Sequence, residues 1–527
     1  MNAPEIRNGI VTSPHYLASR AGRDILERGG TAVEAAVTVA ATLAVVYPHM
    51  TGLGGDSFWL IRSPDGNLFA IDACGAAGAK VDLALYEQAG INRIPFRGPL
   101  AAITTAGTVS GWDHVLSETD SKLPLETLLS AAIEYAERGV EVTKSGAAAA
   151  ASKDSELAKY AGYDSVFRPE GRPLRAGDLL KQPALARTLT RLVENGLQDF
   201  YTGEIASDLV EDLAAAGSPI TADDLAAHQA FKTTPLSSRI LSTDIYNFPP
   251  PTQGLSSLLI LALYERLGLP SEEGFAHVHG LVEATKQAFS LARKIELGDP
   301  DLMQRSAQDV LQDDALLGAL ASDIDMSAAR PWPTLTEPGD TTWFGAMDQT
   351  GWVVSAIQST YFEFGSGITS PKTGITWQNR GASFRLADQG WNALRPGRKP
   401  FHTLNPALAM FEDGRTMVYG TMGGEGQPQT QAAIFTRYAQ HGMTLTNAIA
   451  APRWLLGRTW GETSTSLKLE SRFDPALIRN LKQAGHEVET LTDFSETMGH
   501  AGALVHHPNG TFEGASDPRS DGEASGW

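Results

Sequence analysis

The period of this chain changes at Thr341. Between roughly 120 and 330, stretches such as LETLLSAAIEYAERG and QPALARTLTRLVENG repeat their apolar residues with a helical period and stop at glycine. From Thr341 onward TWFGAM, GWVVSAIQ, GITWQN, PALAMF and TMVYGTM read as strands, with later helices around QTQAAIFTRYAQ and FDPALIRNLKQAG. Helices before and strands after one junction predict an α+β chain. Its expected architecture is a four-layer αββα sandwich, two stacked antiparallel sheets flanked by helices.

A second constraint lies near the N-terminus. Thr31 caps AVEAAVTVAATLAVV, which is apolar on nearly every side and therefore predicts a buried helix, too short for the roughly 20 residues of a membrane span. Ser13-Pro14 predicts the cap and first residue of the preceding helix, which ends at Gly29-Gly30. YPHMTGLGGDSFWLIRS then predicts a glycine-rich turn feeding a strand, with LFAIDA as its hairpin partner. Because no Gly-Lys-Ser/Thr follows GLGGDS and no helix opens there, a tight turn near the core outweighs a phosphate cradle. NFPPPTQG predicts a rigid loop.

Composition narrows the function. With 42% hydrophobic and 20% charged residues, the 527-residue chain can bury a large core. Acidic residues outnumber basic ones 61 to 42, and the net charge of −19 repels nucleic acid and anionic membranes. A small anionic substrate stays open, because a few local cations inside a cleft overrule the distant field. Cys74 is the only cysteine, which excludes an intrachain disulfide and a thiolate zinc site; no metal or cofactor is expected. The segment MNAPEIRNGIVTSPHYLASRAG has neither a basic n-region nor an apolar h-region, so a cytoplasmic protein is expected.

Thr341 and Thr342 follow Pro338-Gly339-Asp340, directly ahead of the first alternating run. A loop entering a strand would account for all five residues. The sharper reading is a cut between Asp340 and Thr341. A threonine made N-terminal carries its own base, since an α-amine with a pKa near 7.7–8 can take the proton of the adjacent Oγ at neutral pH.

Six motifs in order carry a resemblance: AVEAAVTVAATLAVVYPHMTGLGGDSF, GTVSGW at 107–112, FPPPTQG at 248–254, LGDP at 297–300, GDTTWF at 339–344 and EGASDPRSDG near the end. On these the chain resembles the γ-glutamyltransferase-type N-terminal-nucleophile hydrolase family over nearly its full length. The resemblance implies that Thr341 is the nucleophile and that Ser359 helps orient it and assists self-cleavage. Gly423 and Gly424 then match the pair whose backbone N–H groups hold the oxyanion. It further implies a large chain 1–340 and a small chain 341–527 that share one globular domain as a heterodimer, with pairing of two heterodimers left open.

Departures from the family pattern bear on the substrate. Cys74 and Gly75 stand where an Arg-Glu pair would grip an amino acid's carboxylate, and Ser383 stands where an aspartate would hold its ammonium. Arg380 has appeared in QNRGASF, His402 and Thr403 replace adjacent serines, and Tyr361 replaces a common asparagine. Such a pocket has lost amino-acid recognition yet can hold a carboxylate through a guanidinium. The resulting expectation is hydrolysis of a small carboxylate-bearing amide; within the family the departures look most like those of a member that releases ammonia and oxalate from oxamate during purine-nitrogen breakdown. Three alternatives stand beside it: a γ-glutamyltransferase or glutathione hydrolase, an acylase for glutaryl or cephalosporin-type side chains, and an uncleaved binding protein.

Overall fold

The computed structural model describes residues 5–119, 121–296, 299–332, 340–457 and 464–527, with the backbone alone at residue 340. Leu297 and Gly298 of the LGDP motif, and Pro338-Gly339 ahead of the junction, lie outside these residues. In chain order the strands of the two main sheets are β1 (Gly9–Ser13), β2 (Asp56–Arg62), β3 (Leu68–Ala73), β4 (Phe231–Thr233), β5 (Leu236–Ile240), β6 (Thr243–Asn247), β7 (Asp340–Asp348), β8 (Val353–Tyr361), β9 (Ala407–Phe411), β10 (Thr416–Thr421), β11 (Ala501–His506), β12 (Phe512–Ser516) and β13 (Glu523–Gly526). The first sheet runs β13-β1-β7-β8-β2-β3-β4 and the second β12-β11-β10-β9-β6-β5, with antiparallel pairing throughout both.

Among the helices that cover their outer faces are α1 (Tyr16–Glu27), α2 (Ala32–Val46), α3 (Leu125–Arg138), α4 (Pro183–Asn195), α5 (Gly254–Arg266), α6 (Phe275–Lys294) and α7 (Gly426–Ala439). Alternation along the strands sorts the side chains into layers. Trp59, Ile61, Phe344, Ala346, Val354 and Ala356 pack with α1–α4 in one core. Phe58, Leu60, Trp343, Met347 and Ile357 point the other way and meet Leu408, Val418 and Leu504 between the sheets. Ala407, Ala409, Met417 and Tyr419 face α5–α7 in a third core. The expected four-layer αββα sandwich is therefore the observed one.

Helix α2 matches its sequence expectation from end to end, because the signal is local. Thr31 Oγ1 accepts the Glu34 N–H (3.2 Å) and Glu34 Oε2 accepts the Thr31 N–H (2.7 Å), a reciprocal cap, and the whole helix is buried. Two expectations need correction. Helix α1 starts at Tyr16 with His15 as its cap, because Ser13 ends β1, paired to Glu523 at the far end of the chain. GITWQN is not a strand: Thr376 and Trp377 make isolated bridges only, to Thr369 and Gly54. No helix among the described residues is long and apolar enough to cross a membrane.

Candidate active site

The hairpin β7–β8 and its neighbour β2 bring the candidate residues to one end of the sandwich. Thr341 lies two residues from Trp343, Ser359 two from Ile357 and Asp56 two from Phe58, so period-two alternation turns all three toward the space between the sheets. Thr341 is 1% exposed. Thr342 faces the opposite way, its Oγ1 donating to the Gln358 carbonyl (2.8 Å). Ser359 pairs in register with Asp56 and accepts the Tyr361 N–H on its Oγ (2.8 Å). Opposite Asp340 the pairing of β8 slips between Gln358 and Tyr361, and Tyr361 sits at φ +83°, a left-handed conformation costly for a bulky residue. The junction therefore faces an irregular, strained stretch of strand.

The GLGGDS turn and the QNRGAS segment form the floor together. An added Cβ on Gly55 would stand 2.1 Å from the Ser359 carbonyl oxygen, so only glycine admits the strand so closely. Gln378 N–H donates to the Gly54 carbonyl (2.9 Å) and Asn379 Oδ1 accepts the Phe362 N–H (3.0 Å). These bonds hold a single 3-10 turn, Arg380–Ser383, and set Arg380 at the site. Arg380 is 1% exposed, its guanidinium carbon 3.7 Å above the Tyr361 ring and its Nη1 donating to Thr403 Oγ1 (3.4 Å). Among the described residues its Nη2 has no hydrogen-bond partner.

Beneath Arg380 lies Asp56, a residue the sequence reading passed over inside GLGGDS. Its Oδ1 accepts from Gly75 N–H (2.9 Å), Gly107 N–H (3.2 Å) and Gln378 Nε2 (3.0 Å). Its Oδ2 stands 3.4 Å from His402 Nε2. His402, expected at the substrate's carboxylate, instead packs behind Arg380, fully buried and edge-on to Phe58 at 4.9 Å between ring centroids. Burial, with Arg380 and Lys399 adding to it, holds its imidazole well below the ordinary range, so it is neutral. Burial pushes the Asp56 carboxyl up to about 7, against the pull of its donors and of Arg380.

That raised value predicts a pH dependence. The folded chain keeps the Asp56 proton between about pH 4 and 7 while the unfolded chain loses it, so stability falls as pH rises through this window and levels off above it. At 1.36 kcal/mol per unit the loss is on the order of 4 kcal/mol. Asp56→Asn keeps an acceptor for the three donors and removes the ionisation. Its melting temperature should match wild type near pH 4 and exceed it at pH 8; equal differences at both pH values would refute the assignment.

Tyr361, Arg380, Ser383 and Thr403 line one side of a cavity of about 410 Å³, whose remaining wall includes Gln253, Phe289, Ala292, Arg293, Arg385, Trp391, Phe401 and Glu425. Gly423 and Gly424 follow β10 of the second sheet at φ +115° and +54°, both in the left-handed region. Conformation favours glycine at 423, where an added Cβ would find its nearest protein neighbour at 3.7 Å. Among the described residues the N–H of neither glycine is taken by a protein acceptor. Gln253 ties this turn to the clamp, its Nε2 donating to the Gly424 and Thr403 carbonyls (2.7 Å each). Its signal was present in FPPPTQG, but the partners are more than a hundred residues away.

Cys74 and Gly75 are buried outside this cavity. Desolvation pushes the Cys74 thiol well above its ordinary value, and an added Cβ on Gly75 would stand 1.7 Å from the Thr105 carbonyl oxygen. Ser383 Oγ donates to the Phe401 carbonyl (3.3 Å). Among the described residues His279, Glu283 and His486 have the composition of a metal site. There the Lys286 ammonium already sits on Glu283 (2.7 Å), and His279 is held by His486 (2.8 Å) and the Asp325 carbonyl (2.9 Å).

Residues 18–527 match the model of the gamma-glutamyltranspeptidase family. The chain is 52% identical over 524 residues to the oxamate amidohydrolase proenzyme of Klebsiella pneumoniae, covering 99% of this chain and 98% of that one. It is 41% identical over 523 residues to the glutathione hydrolase-like YwrD proenzyme of Bacillus subtilis, covering 98% of each. Among solved structures it superimposes on a cephalosporin acylase from Bacillus halodurans with a TM-score of 0.91 at 29% identity, over 100% of this chain and 97% of that one.

Proposed function

The chain belongs to the gamma-glutamyltranspeptidase family, and on that premise we propose that it is a self-processing N-terminal-threonine amidohydrolase that converts oxamate to oxalate and ammonia. Cleavage before Thr341 gives a 340-residue large chain and a small chain from 341 to 527, held together as a heterodimer. The freed α-amine takes the Thr341 Oγ proton as Oγ attacks the amide carbon. Gly423 and Gly424 N–H groups receive the developing oxyanion, and the α-ammonium returns the proton to the departing ammonia. Water then attacks the ester, releases oxalate and restores Thr341. Ser359 steadies the nucleophile from the next strand. With a single cysteine and no disulfide to form, the cytoplasm suits the chain.

The observation that carries the substrate reading is Arg380. A buried guanidinium stacked on Tyr361, with Nη2 uncommitted, offers a carboxylate paired donors beside the nucleophile's strand. Oxamate places its carboxylate directly on the amide carbonyl and so fits a clamp this close. Sequence identity of 52% to an oxamate amidohydrolase proenzyme supports the same choice.

Ammonia release from oxamate and glutamine, and aniline release from a γ-glutamyl anilide, measured side by side on processed protein, test it. Oxamate should be turned over best. The γ-glutamyl compounds lose two charge-assisted contacts, each worth about 1.5–3 kcal/mol, because Cys74 is a buried neutral thiol, Gly75 has no room for a side chain and Ser383 carries no charge. That predicts a kcat/KM at least about 100-fold lower than for oxamate. Comparable turnover of the anilide would make the glutathione hydrolase reading the better one.

A further inference from the structure

The cavity is larger than its proposed substrate. A ligand of roughly six non-hydrogen atoms, such as oxamate, fills less than about 180 Å³ even if each atom is granted the ~30 Å³ of a liquid water molecule. That is under half of the 410 Å³ present. Arg380 marks one end of this volume. It stacks on Tyr361, which pairs with Asp340 at the junction, and bonds Thr403, so a carboxylate held there lies beside the strand pair that carries Thr341.

Beside the charged groups of the remaining wall, Arg293, Arg385 and Glu425, runs an apolar stretch. Phe289 and Ala292 come from the C-terminal half of α6, and Trp391 packs against Phe401 with ring centroids 5.3 Å apart. An apolar compartment joined to a polar end is the usual shape of a site that binds an organic group on one side and orients a reacting group on the other.

From the proposed amidohydrolase reading, on which this rests, we infer that the site also hydrolyses N-substituted oxamates, with an aromatic or alkyl substituent of the leaving amine seated against Phe289, Ala292, Trp391 and Phe401. Thr341 Oγ bonds to the amide carbon, the C–N bond breaks, and the amine leaves with a proton from the Thr341 α-ammonium. Water then cleaves the oxalyl ester. In sum one N-substituted oxamate anion and one water give an alkylammonium and an oxalate dianion, with no oxidant, reductant or further reactant.

N-benzyloxamate is the probe, assayed beside oxamate by oxalate release from processed wild-type protein and Phe289→Ala. The expected result is turnover of both, with a KM for N-benzyloxamate at least about tenfold below that for oxamate. Phe289→Ala should lower kcat/KM for N-benzyloxamate about tenfold more than for oxamate. If oxamate is hydrolysed while N-benzyloxamate is inert, or only competes with it, the inference is overturned and the oxamate reading stands. Equal loss on both substrates in Phe289→Ala overturns it as well. If processed protein hydrolyses neither compound, the amidohydrolase reading fails and the inference with it.

Discussion

Thr341→Ala is expected to accumulate as a single 56.3 kDa chain without amidase activity, whereas wild-type protein runs as two. Taking mass as proportional to length, the fragments are roughly 36 and 20 kDa. Sequencing of the small one should begin Thr-Thr-Trp-Phe. The structure separates the two threonines sharply. Thr341 shares the inter-sheet face of β7 with Trp343, while Thr342 is turned to the other face and bonds the Gln358 carbonyl at 2.8 Å. Thr342→Ala therefore costs about one hydrogen bond, on the order of 1 kcal/mol, and should still be cut. Loss of the nucleophile and its attached base together should lower turnover on the order of 10⁴-fold or more, since residues acting as one unit fail as one. A fully active preparation that remains one chain would remove Thr341 from the mechanism.

The same pair shows how far sequence carries. Alternation through β7 and β8 is local, and so is the reciprocal cap of α2; both were legible because neighbouring residues specify them. What was misread depends on partners far along the chain. Ser13 reads as a helix cap until Glu523 pairs with it, about five hundred residues away. GITWQN has strand-like residues, but its backbone is spent on Gly54 and Ser370 in isolated contacts, so no ladder forms.

Asp56 shows the same limit at the site. Nothing within GLGGDS says that Gly75, Gly107 and Gln378 will converge on its carboxyl, or that His402 will stand behind it. Alignment to family motifs brought Thr341, Ser359, Tyr361, Arg380 and Thr403 forward, and the fold gathers those five at one end of the sandwich. Charge was the harder quantity. Burial of Arg380, 1% exposed, is a quantity that its neighbours in QNRGASF do not specify.

Arg380→Met should then separate the two reactions of this chain. Methionine keeps much of the apolar stem against Tyr361 and removes the guanidinium. A buried charge-assisted pair with the substrate's carboxylate is worth on the order of 2–5 kcal/mol, about 30-fold to several-thousand-fold in kcat/KM for oxamate. Self-cleavage involves no substrate carboxylate and should proceed to two chains. The fold should tolerate the change, because Asp56, already raised to about 7, answers the loss of its cation by holding its proton to higher pH instead of standing as an uncompensated charge. A processed Arg380→Met that turns over oxamate at near wild-type efficiency would move the carboxylate to another group. Arg385 and Arg293, which line the same cavity, would then be the cations to replace next.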